Sequence, residues 1–103
     1  MIKIQINKTN NKYSSLIVSG HSNYDEHGKD IVCAGVSAIV TGGINALGLE
    51  NKKAISYKVE DGYVNLDVLD LTNDNIQLIM DVIVVQLKTI EESYKKYIKI
   101  YEE

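Results

Sequence analysis

Residues 20–40 read GHSNYDEHGKDIVCAGVSAIV. The pattern changes midway through this stretch. Gly20 to Asp30 is polar, with Gly20 and Gly28 near its ends, and reads as a loop. From Ile31 the residues turn apolar and small, and read as a helix with Asp30 as its N-cap. The same stretch holds both histidines, His21 and His27, and the only cysteine, Cys33.

Before this junction, Ile2, Ile4 and Ile6 alternate with Lys3, Gln5 and Asn7, the period of a half-buried strand. TNNKYSS is a polar turn, and Leu16 to Ser19 returns as a second strand, completing a hairpin that ends at Gly20. After the junction, the helix runs to about Leu49. It is rich in small residues: Ala34, Gly35, Ser37, Ala38, Gly42, Gly43 and Ala46. A glycine inside a helix costs up to about 1 kcal/mol relative to alanine. Their number predicts close packing, most simply against the sheet, and a central buried helix.

Ile55, Tyr57 and Val59 alternate, Asp61-Gly62 marks a tight turn, and Val64, Leu66 and Val68 alternate on the return. The last helix starts near Asn73. Ile76, Met80, Ile83, Leu87, Ile90, Tyr94, Tyr97 and Tyr101 step by threes and fours, forming one stripe whose last turns extend past the core. The three tyrosines read as core packing more than as a partner-binding face. The order is ββαββα. This predicts an α+β fold with an antiparallel-rich sheet packed with two helices, as one domain over residues 1–103.

Composition narrows the function. At 103 residues, 45% hydrophobic and 24% charged, the chain fits a soluble domain with one modest core. Its formal charge is −3 and all 11 basic residues are lysines, which argues against nucleic-acid binding. The start, MIKIQIN, reads as a strand and not as a secretory signal. No run of 18 apolar residues predicts a membrane span. One cysteine forms no internal disulfide, and a cytoplasmic location is expected.

Cys33 falls at the third helical position. Backbone N–H groups there lack intrahelical partners and the positive end of the helix dipole is near, so a thiolate is favoured. His21, upstream, is the candidate base. The same first turn offers N–H donors for an oxyanion. Asp30 has two possible uses, capping the helix or orienting a histidine. Ser37 lies one turn after Cys33 and is placed to touch the thiol or the substrate. Two other readings stand beside this one. A lone cysteine in a small-residue helix is also what a small core hydrophobe looks like. A metal site from His21, Asp25, His27, Asp30 and Cys33 is weaker, because no second cysteine gives the usual zinc spacing. His27 reads as an exposed loop histidine. No metal or cofactor is implied.

At these residues the chain resembles the bacterial ribosomal-processing cysteine protease family, Prp. The resemblance rests on Gly20-His21, the loop, Gly28, then Asp30-Ile31-Val32-Cys33-Ala34 and Val36-Ser37. Many relatives carry alanine where Ser22 and Gly35 stand here. The resemblance covers the whole chain and implies a cysteine endopeptidase with Cys33 as nucleophile and His21 as general base. Asp30 and Ser37 fall on motif positions with supporting roles. It implies a ribosomal protein substrate, the twenty-seventh of the large subunit, whose short N-terminal extension is removed during ribosome assembly. The cut would follow a hydrophobic, aromatic-ended segment and precede a small residue. It also implies a homodimer and a mobile loop between His21 and Cys33. The alternatives are a non-catalytic ribosome-assembly factor that binds the same ribosomal protein, and a structural dimerising module.

Overall fold

The computed structural model describes residues 1–26 and 30–103. Strands β1 (Ile2–Thr9) and β2 (Lys12–Ser19) form the first hairpin. Helix α1 (Ile31–Asn51) follows, then a 3-10 turn (Lys52–Ala54). Strands β3 (Ile55–Glu60) and β4 (Tyr63–Val68) form the second hairpin, succeeded by helix α2 (Asp74–Ser93) and strand β5 (Ile98–Glu102).

The five strands make one sheet in the order β3-β4-β2-β1-β5. All neighbours are antiparallel except β1 and β5, which are parallel. The expected α+β fold with its ββαββα order is present, and β5 is appended to it. Register explains the single core. Val59, Val64, Val18, Ile4 and Ile100 lie in one cross-strand row. Tyr57, Leu66, Leu16 and Ile6 form the next. Side chains of a strand alternate between faces, so both rows share one side. Both helices contribute to the cluster on that side. The opposite face is polar, with Asn7 donating to the Ser15 hydroxyl at 2.7 Å.

The first hairpin turns through Asn10 and Asn11, both at positive φ (53° and 63°), the mirror-image turn that asparagine tolerates. In the second, only Gly62 has positive φ, 70°, so the Asp61-Gly62 turn is of a different type.

Helix α1 buries Val32, Val36, Val40, Ile44 and Leu47. By length and composition alone, Ile31–Ala54 is apolar enough to cross a bilayer, with a mean hydropathy of 1.7. Its polar positions are uncharged Ser, Thr and Asn through most of its length, and here one row packs into the core. The close approach announced by its glycines is to the other helix and not to the sheet. A Cβ at Gly43 would stand 2.4 Å from Ile83 Cδ1 on α2, whereas Gly42 and Gly48 have nothing within 4 Å.

Helix α2 buries Ile76, Met80, Ile83, Val84 and Leu87. Gln77 pairs with the backbone of Tyr13, accepting from its N–H at 2.8 Å and donating to its carbonyl at 2.9 Å. This fixes α2 over the start of β2. The expected stripe through Tyr101 stops early: Tyr94 caps the helix, its N–H donating to Ile90 and Glu91 carbonyls. Beyond it, Ile98 and Ile100 alternate with Lys99 and Tyr101. That period-two pattern suits the unpaired edge of β1 better than another helical turn. Tyr94 and Tyr97 are half-buried against the core, and Tyr101 is exposed.

Candidate active site

The loop leaving β2 and the first turn of α1 are tied together by one buried carboxylate. Asp30 is the N-cap. Its Oδ1 accepts from the N–H groups of Val32 and Cys33, each at 3.0 Å. Its Oδ2 accepts from the Ser22 hydroxyl in a short bond, and from the Tyr24 N–H at 3.0 Å and the Asp25 N–H at 3.5 Å. Burial alone would raise the pKa of this carboxyl. The hydrogen bonds from Ser22, Cys33, Tyr24 and Asp25 outweigh that and hold it at about 2. Of the two uses open to Asp30, the cap is present, and among the described residues no hydrogen bond joins it to His21.

This knot has a consequence for the first turn. Val32 and Cys33 N–H groups go to Asp30 Oδ1, and the Ala34 N–H goes to the Asp30 carbonyl at 3.0 Å. They are therefore not the free oxyanion donors expected from the sequence. The donor beside the sulfur comes from the loop instead: the Ser22 N–H lies 3.3 Å from Cys33 Sγ. The Ser22 hydroxyl is 3.4 Å from the same sulfur. Its one proton faces the ionised Asp30, so it turns lone pairs toward Sγ.

Cys33 is half-buried at the floor of a cleft of about 610 Å³ between α1 and the β3–β4 hairpin. Val18, Val36, Val40, Val59 and Val64 give it apolar walls. His21, which is exposed, and Ser37, one turn along α1, line the same cleft. The structure thus gathers His21, Asp30, Cys33 and Ser37 around one opening. Among the described residues no hydrogen bond joins His21 to Cys33. His27 lies outside the described residues, and among those described no three His, Cys, Asp or Glu side chains converge as a metal site.

Two features escaped the reading of the sequence. Tyr24, in the loop between β2 and α1, packs edge-to-face on Tyr94 and Tyr97, with ring centroids 5.7 and 5.1 Å away. The tyrosines assigned to a helical stripe are thus in part a seat for the loop. Gly62 lies under the His21 ring, where a Cβ would be 2.9 Å from Nε2. Glycine after aspartate announced the turn, but nothing in the sequence announced the histidine above it.

The model of the family described as cysteine protease Prp matches residues 1–99. The ribosomal processing cysteine protease Prp of Staphylococcus aureus (strain Mu50 / ATCC 700699) is 40% identical over 91 residues, 86% of each chain. Two crystal structures of Prp from S. aureus match over 100% of both chains. One, with a covalently linked product peptide, has a TM-score of 0.95 at 34% identity. The other, with a substrate peptide, has 0.89 at 33%. With the family model spanning nearly every residue and the fold superposing end to end, the chain belongs to the Prp cysteine protease family.

Proposed function

We propose that this chain is a cytoplasmic cysteine endopeptidase that removes the N-terminal extension of the twenty-seventh large-subunit ribosomal protein, with Cys33 as nucleophile and His21 as base. The observation that carries this is the placement of a half-buried thiol at the capped start of α1, opening onto an apolar cleft that His21 also lines. The valine walls suit a hydrophobic segment before the cut. An excess of 14 acidic over 11 basic residues suits a basic ribosomal protein.

In this mechanism His21 takes the thiol proton and the sulfur adds to the scissile carbonyl. The Ser22 N–H beside the sulfur is placed to receive the oxyanion. As the C–N bond breaks, His21 passes its proton to the leaving amine and a thioester remains. Water, deprotonated by His21, then adds to the thioester, releasing the carboxylic acid and the thiol. Among the described residues no hydrogen bond joins His21 to Cys33, so the imidazole turns toward the thiol about its side-chain bonds, its backbone held by the Gly20–Gly62 hydrogen bond, and substrate completes the site. Fast alkylation of Cys33 at neutral pH, substrate-independent and unchanged in His21→Ala, would refute this last step.

A homodimer is part of the reading. Leu78, Val82 and Val85 form an exposed apolar row on α2 that a second copy would cover. Mass measurement in solution of the chain and of Val82→Lys tests it: a dimer that becomes monomeric is expected, and a monomeric parent chain refutes it. No membrane or nucleic-acid partner is invoked.

The test of function is a mass spectrum of the full-length ribosomal protein after incubation with the chain and with Cys33→Ala. One N-terminal truncation, made only by the unmodified chain, is expected. An intact protein in both samples, bound in a stable complex, would favour the non-catalytic assembly factor.

A further inference from the structure

A catalytic histidine is ordinarily oriented by a third group that hydrogen-bonds its ring. Among the described residues His21 has no such partner, and Asp30, the nearest buried carboxylate in sequence, spends its oxygens on the helix cap and the loop. What the described residues offer the ring is shape. From behind, Gly20 sits at φ 89°, and a Cβ on it would stand 2.5 Å from the Met1 carbonyl oxygen, a backbone atom with little room to yield. From below, the imidazole lies on the bare backbone of Gly62. A Cβ there would stand 2.9 Å from Nε2, 3.4 Å from Cε1 and 3.6 Å from Cδ2, so it would meet the ring along one side. The two glycines are also joined directly, the Gly20 N–H donating to the Gly62 carbonyl at 2.9 Å. The β3–β4 turn therefore holds the segment Gly20-His21-Ser22 by its first residue and supports its second. The third residue of that segment presents its N–H to Cys33 Sγ.

We propose that Gly62 is a positioning residue for the general base: its missing side chain forms a shelf that sets the height of the His21 ring above the cleft. The proposal rests on the reading of His21 as base. It assigns Gly62 a role beyond the turn. Positive φ is one demand on this position, which asparagine also meets. Room for the imidazole is a second demand, which only glycine meets. The two demands separate experimentally because the clash falls on the far end of a flexible side chain. A Cβ at position 62 displaces the ring at small cost to the fold and moves the base by about an ångström, and a misplacement of that size costs roughly 100-fold in rate.

The test compares Gly62→Ala, Gly62→Asn, His21→Ala and the double variant His21→Ala/Gly62→Asn in the full chain. Each is assayed on the full-length ribosomal protein for kcat and KM and by thermal melting. Gly62→Asn is expected to melt closer to the parent than Gly62→Ala does, yet both are expected to lose about 10- to 100-fold in kcat with little change in KM. The double variant should be no slower than His21→Ala alone, because Gly62 acts only through that ring. Recovery of kcat together with stability in Gly62→Asn would overturn the proposal, leaving only the turn. So would a further loss in the double variant. If His21→Ala itself cleaves at the parent rate, the failure belongs to the assignment of the base and not to the shelf.

Discussion

Asp30→Asn separates the two halves of the Asp30 knot. Asparagine keeps the Oδ1 acceptor that caps α1 through Val32 and Cys33, and it is among the best N-cap residues. The other atom becomes an NH2 group facing the Ser22 hydroxyl and the N–H groups of Tyr24 and Asp25, three donors that it cannot satisfy. A hydrogen bond to a charged group contributes about 1.5–3 kcal/mol, and buried donors left without an acceptor add to the loss. The variant should therefore lose about 2–3 kcal/mol. At about 4–8 °C per kcal/mol for a domain near this size, the melting midpoint should fall by roughly 10–20 °C. Asp30→Ala should lose about 1 kcal/mol more, the contribution of the cap. Amide hydrogen exchange locates each loss. In Asp30→Asn the Tyr24 amide should lose protection while the Val32 and Cys33 amides keep it; in Asp30→Ala all three should lose it. Equal stability of the two variants, with equal loss at Val32 and Cys33, would refute the division of labour between the two oxygens.

The same carboxyl sets an acid limit. Its pKa is 3.8 in an unfolded chain and about 2 in the fold, so the folded state prefers the ionised form. Its contribution is complete above about pH 4 and is lost as pH falls from there through about 2. The melting midpoint of Asp30→Asn should lack this component, so its gap from the parent should shrink as pH drops through that window. Ser22→Ala and Asp30→Asn remove one shared bond, and their effects should sum to more than the double variant shows.

Gly42→Ala should stabilise α1 by about 0.5–1 kcal/mol, since nothing lies within 4 Å, while Gly43→Ala should cost about 1–3 kcal/mol by driving into Ile83; thermal melts that fail to separate them would refute the packing argument. Tyr13 is raised from 10.0 to about 12 by burial, by its 2.9 Å hydrogen bond to Asp81, and by the charges of Asp81 and Glu102. Its neutral form is the one the fold favours, so its contribution is complete below about pH 10 and is lost as pH rises toward 12. Tyr13→Phe should melt with a flatter alkaline limb than the parent; parallel limbs would refute it. Tyr24→Ala removes two edge-to-face contacts of about 0.5–1.5 kcal/mol each. The loop should then open roughly 10- to 100-fold more often, and iodoacetamide should alkylate Cys33 correspondingly faster; an unchanged rate would show that Tyr24 does not hold the loop.

Strands β1 and β4 were legible because each buries apolar residues at every second position, whereas β3 keeps the alternation of Tyr57 and Val59 with both side chains exposed. Ile2, Ile4 and Ile6, and Val64, Leu66 and Val68, announce their period in a handful of residues. The start of α1 was legible because capping is local: Asp30 acts on residues two and three positions on. Strand β5 was not, because Tyr94, Tyr97 and Tyr101 continue the helical spacing by coincidence while Ile98 and Ile100 supply a competing period of two. What decided between them was the free edge of β1, nearly a hundred residues away. The constellation of His21, Asp30, Cys33 and Ser37 was legible as a motif, since all four lie within 17 consecutive positions. Its supports were not. Gly62 meets His21 across 41 residues and Tyr24 meets Tyr94 across 70. Nothing in the sequence marked Ser22, whose N–H and hydroxyl lie 3.3 and 3.4 Å from the sulfur.

The position of the Ser22 N–H links the resting site to the proposed chemistry. Before reaction it points at Cys33 Sγ from 3.3 Å. As sulfur adds to a carbonyl carbon, charge leaves the sulfur and gathers on an oxygen bonded to that same carbon. A donor standing beside the sulfur serves the oxygen after a small displacement. It thus serves the charge of the proposed intermediate more than the neutral thiol, the differential that lowers a barrier. The N–H groups of Val32, Cys33 and Ala34 do not share in this, because Asp30 has taken them to fix the helix. In this mechanism the helix holds the proposed nucleophile, and the segment leaving β2 carries the two groups that serve it, the His21 ring and the Ser22 N–H. Their common anchor is Gly20, whose N–H donates to the Gly62 carbonyl of the β3–β4 turn at 2.9 Å.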